Sequence, residues 1–136
     1  MVSSMNKLHE LIQKEETKNI KVLIENGVDI NARDFFDETP LHWAVNLELI
    51  EIIELLINKG ADVNKVDYYG QTPIRWLSSH NKNIVKMLLE YGIDPNIKDN
   101  DGRTILDDAY EENFTDAIEL LISFGAISII KPSDYE

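Results

Sequence analysis

Three histidines, a set of carboxylates and an Asp-Asn-Asp-Gly stretch are the residues of this chain whose types could do chemistry. Asp99-Asn100-Asp101-Gly102 invites a calcium loop, but placing Gly102 as the loop glycine puts Ile97 where the first carboxylate ligand belongs and Asp108 where a bidentate Glu is usual. The stretch reads as a β-turn instead. His42 and His9 could each be a base or a metal ligand, yet no Cys and no second His stands in register with either, so a structural role is favoured. His80 is expected alone in a loop. Asp107/Glu111 and Asp108/Glu112 pair carboxylates one helical turn apart, where like charges repel. A solvated face is the favoured reading of these four; an acidic patch for a basic partner is the functional one. No glycine-rich phosphate loop and no Ser/His/Asp arrangement is visible, so the chain is expected to be no enzyme and to hold no metal or cofactor.

Composition narrows the partners. The 136 residues hold 25 acidic against 13 basic side chains, a formal net charge of −12. Such a chain repels nucleic acid and anionic membranes, since phosphate binding needs lysine and arginine. A protein with a basic or mixed surface is the expected partner. Cysteine is absent, which excludes a disulfide framework and a thiol nucleophile. No basic segment followed by an apolar run opens the sequence, and no apolar stretch reaches the ~20 residues that span a bilayer. A soluble, cytoplasmic monomer is expected.

The elements that position these residues announce themselves by spacing. Glycines at 27, 60, 92 and 125 lie 33, 32 and 33 apart, and each follows a run of leucine, isoleucine or valine. Thr39, Thr72 and Thr104 keep the same period, as do Asp34, Asp67 and Asp99, and Asn31, Asn64 and Asn96. Thr39-Pro40 and Thr72-Pro73 read as helix starts: threonine caps free N–H groups, and proline at the first position has none to lose. A helix runs from Thr39 toward Leu47, then a second carries Ile52-Ile53 and Leu55-Leu56 as a wide apolar stripe that Gly60 ends.

Thr39-Pro40-Leu41-His42-Trp43-Ala44 followed by Gly60-Ala61-Asp62-Val63-Asn64 resembles the ankyrin repeat. Thr72-Pro73-Ile74-Arg75 with Gly92-Ile93-Asp94-Pro95-Asn96 matches more loosely, and Thr104-Ile105-Leu106-Asp107 with Gly125-Ala126 more loosely still. Leu8-His9 aligns with Leu41-His42. The resemblance covers about residues 4–127 and implies an all-α solenoid of stacked helix-turn-helix units joined by β-turns. It divides a single 1–136 domain into repeats 4–33, 34–66, 67–98 and 99–127, with a tail 128–136. The third repeat is one residue short between Thr72 and Gly92, and the loss is placed in the loop around Ser79–Lys82. Arg75 and Asp107 stand where the first full copy has His42, and Asp37 where Gly70 and Gly102 stand; Asp tolerates that left-handed position better than most side chains. Asp107, Asp108, Glu111 and Glu112 suit the polar outer face of a terminal repeat. In the family a His at 42 bonds within its own Thr-Pro-Leu-His turn.

Function, by the same resemblance, is expected to be protein binding through a concave face and turn tips. Phe35-Phe36 and Tyr68-Tyr69 sit at two such tips, where paired rings match the composition of interface cores. Trp43 and Trp76 share one slot on the inner helices; packing between repeats is favoured, with a contribution to the aromatic strip as the alternative. Asp101, Asp108, Glu111 and Glu112 would flank the anchor. A short stand-alone member would act by occlusion or scaffolding, for instance as an immunity or antitoxin protein against a basic toxin enzyme; a stack without one tight partner is the rival reading. Ile127, Ile129 and Ile130 are expected to cover the last repeat's open edge. In the family the Asn of 31, 64 and 96 can be hydroxylated, though holding the hairpin backbone suffices to explain it.

Overall fold

A computed structural model describes residues 7–128. Among them are seven α-helices, one 3-10 helix and no strand. The helices are α1 (Lys7–Gln13), α2 (Thr17–Glu25), α3 (Pro40–Asn46), α4 (Ile50–Asn58), α5 (Lys82–Glu90), α6 (Ile105–Glu111) and α7 (Thr115–Ser123), with the 3-10 helix Pro73–Trp76 between α4 and α5. They alternate between an inner row (α1, α3, the 3-10 helix, α6) and an outer row (α2, α4, α5, α7). Within a unit α1 packs on α2, α3 on α4 and α6 on α7; along the stack α1 meets α3, α3 meets the 3-10 helix, α2 meets α4 and α5 meets α7. Leu8, Ile12, Leu41, Ile53, Leu56, Leu88, Leu106 and Leu121 belong to one continuous buried cluster. No unit closes that cluster alone; each supplies one wall of its neighbour's core.

Glycine ends each outer helix for a definite reason. After α4, Gly60 takes φ +101, its N–H bonds Ile57 O at 3.1 Å, and the next N–H, of Ala61, bonds Leu56 O at 2.9 Å. This double bond back into the helix needs a left-handed residue. Inner helices reach the same left-handed geometry without glycine, at Glu15, Glu48, His80 and Asn113.

Those four positions correct the expected site of the missing residue. Thr39 precedes Glu48 by nine positions and Thr104 precedes Asn113 by nine, but Thr72 precedes His80 by only eight. The deletion therefore falls in the second half of the inner helix, before His80 rather than in the loop beyond it. What remains is a single 3-10 turn. Thr72 also makes no side-chain cap, unlike Thr39, whose hydroxyl accepts from His42 N. The reciprocal bond of such a cap needs an acceptor three residues on, and Arg75 can only donate.

The asparagine track fastens one unit to the next. Asn31 donates to Gly60 O at 3.2 Å and accepts from Asp62 N at 2.8 Å; Asn64 repeats this with Gly92 O and Asp94 N, and Asn96 with Gly125 O and Ile127 N. Ile127 is 68% exposed, so it does not cover the end of the core as expected: its backbone is held by Asn96 while its side chain turns outward. Ile129, Ile130 and the rest of the tail lie outside the described residues, as do residues 4–6.

Candidate protein-binding surface

Three aspartates build the turns. Oδ1 of Asp34 accepts the N–H of Phe36 and Glu38 at 3.0 and 2.9 Å, Oδ1 of Asp67 those of Tyr69 and Gln71 at 2.9 and 2.9 Å, and Oδ1 of Asp99 those of Asp101 and Arg103 at 2.8 and 3.0 Å. The Asp99 turn is thus a closed hydrogen-bonded loop, and among the described residues no group of three or more His, Cys, Asp or Glu could hold a metal ion. Each tip is then tied to the next. Tyr68 N donates to Phe36 O at 2.9 Å, Asn100 N to Tyr69 O at 3.0 Å, and the Asn100 side chain to Tyr68 O at 2.9 Å.

Rigid tips therefore display the aromatic pairs. Phe35 is 93% exposed, Phe36 48%, Tyr68 65% and Tyr69 58%. The partners of each pair touch edge to face, with ring centres 5.5 and 5.4 Å apart, and neither pair folds back into the stack. Ordered backbone beneath exposed rings lowers the entropy lost on binding. Asp101 occupies the third tip and is exposed.

Below the tips, Trp43 on α3 and Trp76 on the 3-10 helix are half-buried and meet edge to face at 5.2 Å. The Trp76 indole donates to Asp67 Oδ2 at 2.9 Å, which ties groove to turn. Asp108 takes the same slot on α6, but its charge is engaged: Arg75 Nε donates to it at 2.7 Å and Arg103 at 3.4 Å. Arg103 also reaches Glu111 at 2.5 Å. Glu112 is exposed, with no ion pair among the described residues. The sequence located these acids and missed both arginines; the signal was Arg75 itself, a cation in the slot that His9 and His42 fill in the two preceding units.

That slot links neighbouring units. His9 Nε2 donates to Glu38 O at 2.7 Å, His42 Nε2 to Gln71 O at 2.8 Å, and Arg75 to Arg103 O at 3.1 Å. His42 Nδ1 meanwhile accepts from Thr39 N at 3.1 Å, so its imidazole is neutral and its structural role is as expected. Burial lowers its pKa. Arg75 adds Asp99 Oδ2 at 3.0 Å, with its side chain only 4% exposed. Burial alone would raise the Asp99 pKa, but the Arg103 and Asp101 N–H groups and the Arg75 guanidinium together hold it below the usual value.

Two further residues differ from expectation. Asp107 is fully buried rather than on a solvated face: its carboxylate accepts from Thr104 N at 2.9 Å and from the Ser128 hydroxyl, so it stands in for the cap acceptor of the slot. His80 is not alone; it stacks on Phe114 with ring centres 4.5 Å apart and walls a cavity of 290 Å³ with Lys82, Thr115 and Asp116. Its burial lowers its pKa.

A third residue went unnoticed in the sequence. Burial first, then the neighbouring Asp34 carboxyl, push Glu38 up to about 7.

No described helix is long and apolar enough to cross a membrane. Comparison with known proteins places the chain. Residues 8–99 and 69–131 match the family model for ankyrin repeats in three copies. An ankyrin repeat protein of Fowlpox virus is 35% identical over 89% of this chain and 13% of its own length. One from Acanthamoeba polyphaga mimivirus is 37% identical over 76% of the chain and 14% of its own, and an alpha-latrotoxin of Latrodectus geometricus is 31% identical over 88% and 9%. The chain thus spans a small part of these relatives. With the period, the inner and outer helices and the linked turns all in agreement, the chain belongs to the ankyrin-repeat family.

Proposed function

We propose that this chain binds a partner protein across its turn tips and inner helices, with Phe35, Phe36, Tyr68 and Tyr69 as the anchor. Ankyrin repeats are generally protein-interaction modules on a non-catalytic fold. The observation that carries the reading is the exposure of all four rings on tips whose backbones are bonded to one another. Exposed aromatic surface lowers solubility unless a partner covers it, and rigid rings are the usual centres of interface energy. Trp43 and Trp76 continue the strip, and Asp101 and Glu112 set a negative rim. With a net charge of −12, a basic or mixed partner surface is favoured, and occlusion of that surface is the action proposed. The repeats act as one unit over 1–136.

Affinity capture from the native lysate supplies the partner, which is then purified and titrated by calorimetry. With Phe35, Phe36, Tyr68 and Tyr69 all replaced by serine, Kd is expected to weaken at least about 100-fold, the loss of two strong hot-spot contacts. Binding of the serine variant as tight as wild type refutes this placement. Affinity that does not fall between low and high salt refutes the role of the acidic rim.

A further inference from the structure

The shortened inner helix of the third unit ends less securely than the others. Where those end, the chain is bonded back twice: Glu15 N donates to Ile12 O and Glu16 N to Leu11 O, Glu48 N to Val45 O and Leu49 N to Ala44 O, Asn113 N to Tyr110 O and Phe114 N to Ala109 O, all between 2.9 and 3.2 Å. After the 3-10 turn only the first bond forms, from His80 N to Leu77 O at 3.3 Å. Trp76 O, the acceptor for the second, receives the Asn46 side chain at 3.2 Å, and Asn81 N turns to Ser79 Oγ at 3.2 Å. The left-handed residues Glu15, Glu48 and Asn113 are exposed. His80 instead turns its ring in onto Phe114, with the two planes 19° apart.

The ring is poorly served there. Nδ1 faces Ser78 O at 3.4 Å, a carbonyl that only accepts, so Nδ1 carries the hydrogen and Nε2 a lone pair. Nε2 is buried without a partner. Two cavities border the ring, one of 290 Å³ lined with Lys82, Phe114 and Asp116, the other of 360 Å³ lined with Ser78, Asp108, Glu111 and Glu112. A buried unpaired nitrogen and unfilled space both cost stability, which admitting water recovers. The segment free to move is short. Leu77 before it is fully buried, and Asn81 after it caps α5, accepting from Asn83 N at 3.0 Å and Ile84 N at 3.3 Å.

We infer that Ser78–His80 is a latch, closed by the stack of His80 on Phe114 and opened when that imidazole takes up a proton. An imidazolium donates from both nitrogens, and the closed ring offers Nε2 no acceptor. Open, the ring meets water and the exposed Glu112 carboxylate at the rim. The charged groups facing it are Arg75 from the 3-10 helix, Lys82 from α5, Asp108, Glu111 and Glu112 from α6 and its end, and Asp116 from α7. In the closed state burial lowers the His80 pKa, outweighing Ser78 O and the Asp108 and Glu112 carboxylates, while Arg75 adds to the lowering. Closure is therefore favoured above the ordinary value of 6.5 and weakens as pH falls below it. Opening joins the two cavities between the third and fourth units, beside Trp76 and α6. The latch stands independently of the binding reading above.

The test is NMR on the full chain, labelled with nitrogen-15. The His80 ring should titrate below 6.5. Exchange of its amide hydrogen, corrected for the intrinsic rate, should be about tenfold faster at about pH 5.5 than at about pH 7.5, because the open ring titrates at its ordinary value. The amide of Glu48, its counterpart in the second unit, should show no such rise. His80→Asn keeps a residue suited to the left-handed position, as Asn113 shows, and should lose the pH response with circular dichroism unchanged. Phe114→Leu removes the stacking face and should move the His80 midpoint toward 6.5. A wild-type midpoint at or above 6.5, exchange at His80 that tracks Glu48 at both pH values, an undiminished response in His80→Asn, or an unmoved midpoint in Phe114→Leu overturns the latch.

Discussion

Arg75 offers the sharpest test of how this stack is held. Its guanidinium is 4% exposed and donates three ways: to Asp108 at 2.7 Å, to Asp99 at 3.0 Å and to Arg103 O at 3.1 Å. It does so where the inner helix has shrunk to one 3-10 turn, so the fork replaces contacts that a full helix would make with α6. Arg75→Met keeps the apolar stem and removes the charge. Breaking a buried pair costs ~3–5 kcal/mol because the remaining charge is left alone. Here Asp99, 6% exposed, keeps two backbone N–H partners, and Asp108, 27% exposed, keeps Arg103, which sets the expected loss at the low end, about 3 kcal/mol. For a chain of this size that is about 10 °C in Tm. Urea unfolding followed by circular dichroism measures it. Arg75→Lys should fall between, since an ammonium supplies charge without the planar fork. The acid limb gives a second readout. Asp99 has a lowered pKa, so its stabilisation is present above its unfolded value of 3.8 and is lost as pH falls through the folded value. Arg75→Met should therefore flatten the loss of stability below about pH 4. A loss under about 1 kcal/mol, with the acid limb unchanged, would refute the view that this network joins the last two units.

Other outcomes follow from single positions. A Cβ on Gly70 would stand 2.9 Å from Asn100 N and 3.1 Å from Asp99 Cα, whereas one on Gly102 meets nothing within 4 Å, though both have positive φ. Gly70→Ala should thus cost at least about 1 kcal/mol more than Gly102→Ala in urea unfolding, and equal costs would deny the close docking of adjacent tips. Phe35→Ser should change stability by less than about 0.5 kcal/mol while weakening partner binding, and a larger loss of stability would make the ring a packing residue. His42 and His80 have pKa values lowered by burial, so the stability they contribute is present above about pH 6.5 and is lost as pH falls from there through their folded values. Glu38 opposes this, because its raised pKa contributes stability fully present below 4.5 and lost as pH rises through about 7. Glu38→Gln should accordingly steepen the fall in stability from about pH 7 to about pH 5, and an unchanged profile would show that its proton is not retained in the folded chain.

The sequence by itself determined the period, the helical stack and the turn role of Asp99, and the family resemblance implied the local bonding of His42. Each rests on hydrogen bonds within a few residues, such as Thr39 with His42 or Asp34 with Phe36 and Glu38, so one residue type at one offset carries the information. The exposure expected for the tip aromatics was legible for the same reason: a turn two residues beyond its aspartate has little chain nearby to cover it. The place of the missing residue was not legible, because spacing between Thr72 and Gly92 cannot tell a shortened helix from a shortened loop; the left-handed His80 decides it. Nor was the burial of Asp107, the pairing of Asp108 and Glu111 with arginines, or the raised pKa of Glu38. Arg75 meets Asp99 and Asp108 across 24 and 33 residues of sequence, and Ser128 meets Asp107 across 21. A carboxylate reads alike in sequence whether water or a guanidinium faces it. Only stacking one unit on the next brings these distant groups within bonding distance and fixes which charges are spent and which remain for a partner.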